Sequence, residues 1–209
     1  MRKVPLVEGE YYHIFNRGTD KRLVFQQEGD FQRFLKSMKE FNIVKPIGSI
    51  YENSFRKNKN KKSDPLVEFL AYCLNPNHYH FILKQVSKDG IQKFMQRLGN
   101  GYTKYFNEKY KRSGVLFQGR FKSVHIESDE QLFYMNTYVN FNYLVHKLGH
   151  WMSKSSWNEY VGKISQDDKL CNISMIKDGI GNIKKYQTLA TETVEEISRK
   201  RGLEKINLE

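Results

Sequence analysis

The chain has 209 residues and a mass of 24.9 kDa, enough for one medium domain, with or without an appendage, whose core needs no disulfide or structural metal. Aromatic residues reach 14%, which excludes wholesale disorder, and the longest uncharged apolar stretch, residues 69–74, is far too short to span a membrane. Thirty-five Lys and Arg against 23 Asp and Glu give a net charge of +12, a balance that with so many rings suits nucleic acid, although an inert basic protein or one touching anionic lipid has the same composition.

Residues 10–16 are rich in aromatic and β-branched side chains and end at Arg17-Gly18, which predicts a strand closed by a turn. Asp30 is expected to cap a helix to about Ile43, with Phe31, Phe34, Leu35, Met38 and Phe41 at helical spacing. A short extended segment over 47–51 and a solvated basic loop over 56–62 follow. Residues 66–73 and 78–84 predict two strands joined by a turn at Asn75-Pro76-Asn77. From about Gly90, Ile91, Phe94, Met95, Leu98, Tyr102, Tyr105 and Phe106 trace a helical stripe, weakened in its middle by Gly99 and Gly101. Residues 114–126 predict a loop and strand. Ser128-Asp129-Glu130-Gln131 fits a capping box that starts a helix to about Lys147, with Gly149 as terminator.

Beyond residue 150 the composition shifts to a Ser-rich turn, a stretch interrupted by Gly179 and Gly181, and a polar helix around 183–201. The expected organisation is therefore a catalytic-sized domain over 1–150 and an accessory helical tail over 151–209. The element order predicts an α+β fold, a ferredoxin-like antiparallel sheet with helices packed on it. The N-terminus has no apolar region of a secretory signal, and Cys73 and Cys171 form no CxxC pair, so reduced thiols and a cytoplasmic setting are expected.

His78 and His80 are i and i+2 on a predicted strand, so both imidazoles leave one face of the sheet, half of a metal site. Pairs at this spacing also occur as plain surface or core residues. On the capped helix Tyr138 and Asn142 are i and i+4, expected neighbours on one face. A phenol beside a divalent ion has a recognisable chemistry: the ion polarises a phosphoryl oxygen while the phenol, a poor nucleophile near neutral pH by itself, attacks. Ordinary aromatic packing is the other reading of Tyr138 in a chain with 13 tyrosines. Tyr134, one turn earlier, is the rival nucleophile, and His13 on the first strand is expected to support the site rather than to ligate. His125, His146 and His150 have no partner pattern.

Five segments occur in order: Tyr12-His13-Ile14-Phe15-Asn16-Arg17-Gly18, Leu74-Asn75-Pro76-Asn77-His78-Tyr79-His80-Phe81-Ile82-Leu83, Phe94-Met95-Gln96-Arg97-Leu98, Phe117-Gln118-Gly119-Arg120-Phe121-Lys122-Ser123 and Tyr138-Val139-Asn140-Phe141-Asn142. Together they resemble the REP-associated branch of the single-tyrosine HUH transposases, the transposase IS200-like family, over roughly residues 5–150, and more faintly at Ser155-Ser156-Trp157-Asn158-Glu159-Tyr160. The resemblance implies a metal-dependent single-stranded DNA endonuclease and strand transferase that cleaves beside a hairpin. Tyr138 matches the nucleophile that forms a 5′-phosphotyrosine and frees a 3′-hydroxyl. His78 and His80 match the metal-binding pair and Asn142 the third ligand. Arg17, Arg97, Arg120 and Lys122 fall in basic blocks implied to grip DNA. The implied cofactor is Mg²⁺ or Mn²⁺, because two imidazoles and an amide oxygen form a mixed, open set unlike a closed zinc site. The implied partner is hairpin-forming single-stranded DNA, with no membrane, for a monomer or homodimer associated with the nucleoid.

The sequence departs from the family where proline follows the asparagine: Tyr143 stands there, so the helix is expected to continue past Asn142 more easily. Two other functions fit the same features. One is a ferredoxin-like nucleic-acid-binding module without chemistry, and the other a replication-initiator-type HUH nickase, usually fused to a helicase that this chain's motifs do not suggest.

Overall fold

The structure, a computed structural model, describes residues 5–55, 64–146, 148, 152–174, 176 and 183–206. Its centre is an antiparallel sheet of five strands in the order β4-β1-β3-β2-β5, namely β1 (Tyr11–Arg17), β2 (Val67–Asn75), β3 (His78–Gln85), β4 (Lys122–Ile126) and β5 (Lys154–Ser155). With α1 (Glu28–Phe41) between β1 and β2 and α3 (Gly90–Lys109) between β3 and β4, the first four strands follow the ferredoxin-like split β-α-β path. The expected α+β class and antiparallel sheet are thus what the chain adopts. Among the described residues no helix is long and apolar enough to cross a membrane.

Alternation along the strands divides the work between two faces. Tyr79, Phe81 and Phe69 meet Phe34 of α1 and Phe94 of α3 at ring-centroid distances of 5.4–6.3 Å, so one face carries the aromatic core. Gly101 lets α1 and α3 approach: a Cβ there would lie 2.6 Å from the Phe41 ring. The opposite face, with His13, Phe15, His78 and His80, is covered by α4 (Asp129–Asn140) and α5 (Asn142–Val145).

Three local expectations change. Helix α1 begins three residues early, with Gln27 as its N-cap; Asp30 is the third helical residue, and its buried carboxylate accepts from the Gln26 and Gln27 amides, Lys109 Nζ at 2.6 Å and Tyr110 Oη at 2.6 Å. Burial alone would raise the Asp30 pKa, but the bonds from Lys109, Tyr110 and Gln26 outweigh it and leave the carboxyl below its ordinary range. The segment expected to be extended over 47–51 instead enters a short helix, α2 (Ile50–Ser54), because Ser49 and Glu52 form a reciprocal capping box. The helix expected from 128 to 147 is broken at Phe141, whose φ of −110° and ψ of 15° separate α4 from α5. The expected Lys147 end, the Gly149 terminator, the basic run 56–62 and Gly179 and Gly181 lie outside the described residues.

The tail is woven into the sheet. Strand β5 pairs Lys154 and Ser155 with Leu74 and Cys73. Ser156 exchanges bonds with the backbone of Tyr72, Asn172 N donates to Phe69 O, and Tyr160 Oη donates at 2.7 Å to Leu70 O, beside the irregularity in the β2 register. Two further helices, α6 (Trp157–Tyr160) and α7 (Ile183–Ile206), follow, and α7 lies against α4 and α5. Cys73 and Cys171 are buried free thiols, and burial pushes Cys73 up to about 12.

Candidate active site

The hairpin β2–β3 creates the site. Because β2 runs through Asn75 and β3 starts at His78, only Pro76 and Asn77 turn the chain, and Asn75 and His78 are paired across the ladder. His80 follows on the same face, and the two imidazoles lie 5.2 Å apart at right angles. Asn142, the first residue of α5 and fully buried, points Oδ1 at His78 Nε2, 3.2 Å away.

The protons around His78 follow from its partners. His78 Nδ1 sits 2.6 Å from Asn77 Oδ1, an acceptor, so the proton belongs on Nδ1 and Nε2 keeps its lone pair. Asn142 Oδ1 is also an acceptor, so no proton lies directly between the two. Asn75 Nδ2 bridges them instead, donating to His78 Nε2 at 2.9 Å and to Asn142 Oδ1 at 2.8 Å. Among the described residues the buried Asn142 Nδ2 has no hydrogen-bond partner, so the amide is oriented there by its oxygen and not by its donor. Two lone pairs converging on a donor are also the arrangement that suits a cation.

His80 is held from below by His13, with His13 Nε2 2.8 Å from His80 Nδ1 and the rings stacked at 5.1 Å. Burial lowers the His13 pKa to about 4, so it is a neutral imidazole. A proton on His80 Nδ1 then leaves His80 Nε2 as a lone pair, the tautomer a metal ligand needs.

Tyr138, half-buried on α4, meets His80 and His13 edge-on at centroid distances of 5.7 and 6.0 Å. Tyr134 is 41% exposed, and Tyr138 is the phenol that reaches the histidines. The break at Phe141 corrects the expected i, i+4 relation: Tyr138 and Asn142 belong to two helices, and they share the site because α4 and α5 both pack on the histidine face.

The opposite side of α4 is anchored by polar bonds. Asn136 Nδ2 donates to Tyr160 Oη at 2.8 Å, Asn140 Nδ2 to Asn136 Oδ1 at 3.0 Å, and Ser156 Oγ to Asn140 Oδ1 at 2.6 Å, while Tyr186 Oη of α7 donates to Asn136 Oδ1.

The four predicted basic residues do not stay together. Arg17 lies across the ladder from His78, and its Nε donates to Gln118 Oε1. Lys122 Nζ stands 5.9 Å from the centre of the Phe15 ring, which stacks on His80 at 5.6 Å. Arg120 is exposed on the loop before β4. Arg97 is different: its guanidinium donates to the carbonyls of Ile43 and Val44, so it ties α3 to the chain leaving α1.

Asn75 and Ser153 had no predicted role, yet Ser153 Oγ donates to Asn75 Oδ1 at 2.8 Å and thereby fixes which way the Asn75 amide faces. His146 lies 4.6 Å from the His78 ring. Among the described residues no group of three or more His, Cys, Asp or Glu is placed to hold a metal.

The chain belongs to the family described as transposase IS200-like, whose model matches residues 7–142. Among solved structures it is similar to a REP-associated tyrosine transposase bound to a REP hairpin, at 13% identity and a TM-score of 0.53, over 83% of this chain and 93% of that one. That likeness concerns the fold. Curated protein sequences gave no match.

Proposed function

We propose that this transposase is a metal-dependent endonuclease and strand transferase for hairpin-bearing single-stranded DNA, acting through Tyr138. The observation that carries the reading is the convergence of Tyr138, His78 Nε2, His80 and Asn142 Oδ1 on one face of the sheet.

In this reading His78, His80 and Asn142 would hold Mg²⁺ or Mn²⁺, since two neutral imidazoles and a carbonyl oxygen suit a hard, open-sided ion. Bound there, the ion supplies Lewis-acid polarisation of the phosphate. The chain does the rest. Asn77 fixes the tautomer of His78, and His13 orients the His80 ring. Tyr138 Oη forms a bond to phosphorus, its proton passing to water, as the bond from phosphorus to the 3′-oxygen breaks and that oxygen is protonated. The result is a 5′-phosphotyrosine and a free 3′-hydroxyl, and the retained ester lets a second 3′-hydroxyl reverse the step without ATP. Arg17, Arg120 and Lys122 neutralise backbone phosphates.

The test is a covalent adduct between the full chain and a hairpin-bearing oligonucleotide on a denaturing gel. An adduct that needs Mg²⁺ or Mn²⁺ and vanishes in Tyr138→Phe is expected. An adduct of undiminished yield in Tyr138→Phe would refute the nucleophile, and hairpin binding without any adduct under either ion would favour a binding module.

A further inference from the structure

Asn75 forms the third corner of a triangle. Its Nδ2 lies 2.9 Å from His78 Nε2 and 2.8 Å from Asn142 Oδ1, which are themselves 3.2 Å apart. Around a six-coordinate Mg²⁺ with ligands at about 2.1 Å, neighbouring ligand atoms stand about 3 Å from one another. The three side chains already keep the spacing of one face of such an octahedron, and the end of the Asn75 amide takes a ligand's corner, not the position of the ion. Hydrogen bonds have similar lengths, so the spacing alone does not separate a ligand from a simple brace.

The two ends of Asn75 make the distinction. The residue is fully buried at the end of β2. On one side its partners are His78 Nε2 and Asn142 Oδ1, which offer lone pairs, so the amide presents its donor to them. On the other side its Oδ1 accepts from Ser153 Oγ at 2.8 Å and from Cys73 Sγ at 3.6 Å. A hydroxyl and a thiol accept as well as donate, so that side fits either end of a carboxamide. Beside a bound cation the first side calls for oxygen. A half-turn of the last side-chain torsion, which is intrinsically broad and two-fold, exchanges the two ends without moving the backbone.

We infer that Asn75 is a further ligand of the ion, a carboxamide that turns over on binding. Its nitrogen holds His78 and Asn142 in register before the ion arrives. Its oxygen then joins theirs around the ion, while Ser153 and Cys73 change from donors to acceptors. The inference rests on the metal-dependent reading above and adds a fourth protein ligand to His78, His80 and Asn142. The competing use of such an amide, a plug that a cation has to push aside, has the opposite sign: removing it would tighten binding.

The experiment measures Mn²⁺ binding to the full chain without DNA, by calorimetry and by the signal of the free ion in electron paramagnetic resonance. Asn75→Leu, which keeps the bulk and removes both ends, should bind about tenfold more weakly, and Asn75→Asp, which leaves only oxygens at that corner, about tenfold more tightly. If Asn75→Leu does not fold, NMR of the parent decides. Its Asn75 side-chain amide protons should show nuclear Overhauser contacts to the His78 ring without divalent ions and to the Ser153 β-protons in saturating Mg²⁺. Unchanged or tighter Mn²⁺ binding in Asn75→Leu, or an amide that keeps its His78 contacts with Mg²⁺ bound, overturns the ligand. The metal-dependent reading survives that result as long as the parent binds Mn²⁺ and His78→Ala does not. A parent that binds neither ion removes both.

Discussion

His78 Nε2 and Asn142 Oδ1 face each other at 3.2 Å, two acceptors held at that distance by the amide of Asn75. The side chain of Asn142 is therefore placed by what its oxygen does. Asn142→Ala should lower single-turnover cleavage by about 100-fold and raise the ion concentration needed, while hairpin affinity without metal changes little. Asn142→Asp keeps an oxygen and adds charge, so its ion requirement should move the other way. Cleavage by Asn142→Ala at the parental rate and ion dependence would remove Asn142 from the site.

His13 acts on His80 from beneath, as a neutral ring whose nitrogen lies 2.8 Å from His80 Nδ1. His13→Ala should cost about 10- to 100-fold in adduct formation, and His13→Gln should recover part of it, because a carboxamide oxygen can also accept from His80. The check is the metal titration: a shifted midpoint marks a role in setting the ligand, whereas an equal rate loss at every ion concentration would mark simple damage to packing.

The tail reaches the nucleophile through its helix. Tyr186 Oη donates to Asn136, two residues from Tyr138 and on the buried side of α4. Tyr186→Phe keeps the ring and removes the hydroxyl. It should destabilise the protein by about 1–2 kcal/mol and slow cleavage more than it weakens hairpin binding. Thermal melts together with single-turnover rates test this, and an unaltered rate in a destabilised variant would confine Tyr186 to stability.

Acid sensitivity should depend on Asp30. Its carboxyl titrates below the ordinary value of about 4, so its stabilisation is complete above that pH and is lost as pH falls through the lower folded value. Asp30→Asn should cost about 2–4 kcal/mol at neutral pH, because Lys109 and two helix-capping amides lose a charged partner. Its stability should then fall less steeply below pH ~4. Parallel acid limbs for variant and parent, measured by chemical denaturation, would contradict this assignment.

Much of this was legible in the residues. Period-two alternation around His78 and His80 is a local property, and the Asn-Pro-Asn turn between apolar runs fixed the hairpin that presents them. The cap at Ser128 placed the start of α4, with Ser128 Oγ accepting from Gln131 N, although the Gln131 side chain closes on Glu127 N instead of Ser128 N. What escaped depended on contacts distant in sequence. The α4 break at Phe141 has no proline or glycine to announce it, and it coincides with the burial of Asn142 and Tyr143 against the sheet. Asn75 reads as a turn residue until Ser153 and Asn142, far along the chain, show which way its amide faces. Arg97 sits in a basic block, and only the fold shows that two carbonyls occupy it.

The stitching of the tail along β2 bears on how copies of this molecule can meet. From Phe69 to Leu74 the outward-facing backbone is engaged by Asn172, Tyr160, Ser156 and β5 of the same chain. A bare rim there would be a template on which a neighbour could lay down a strand. With that rim already taken, a strand of a neighbouring molecule cannot add directly to β2 between Phe69 and Leu74.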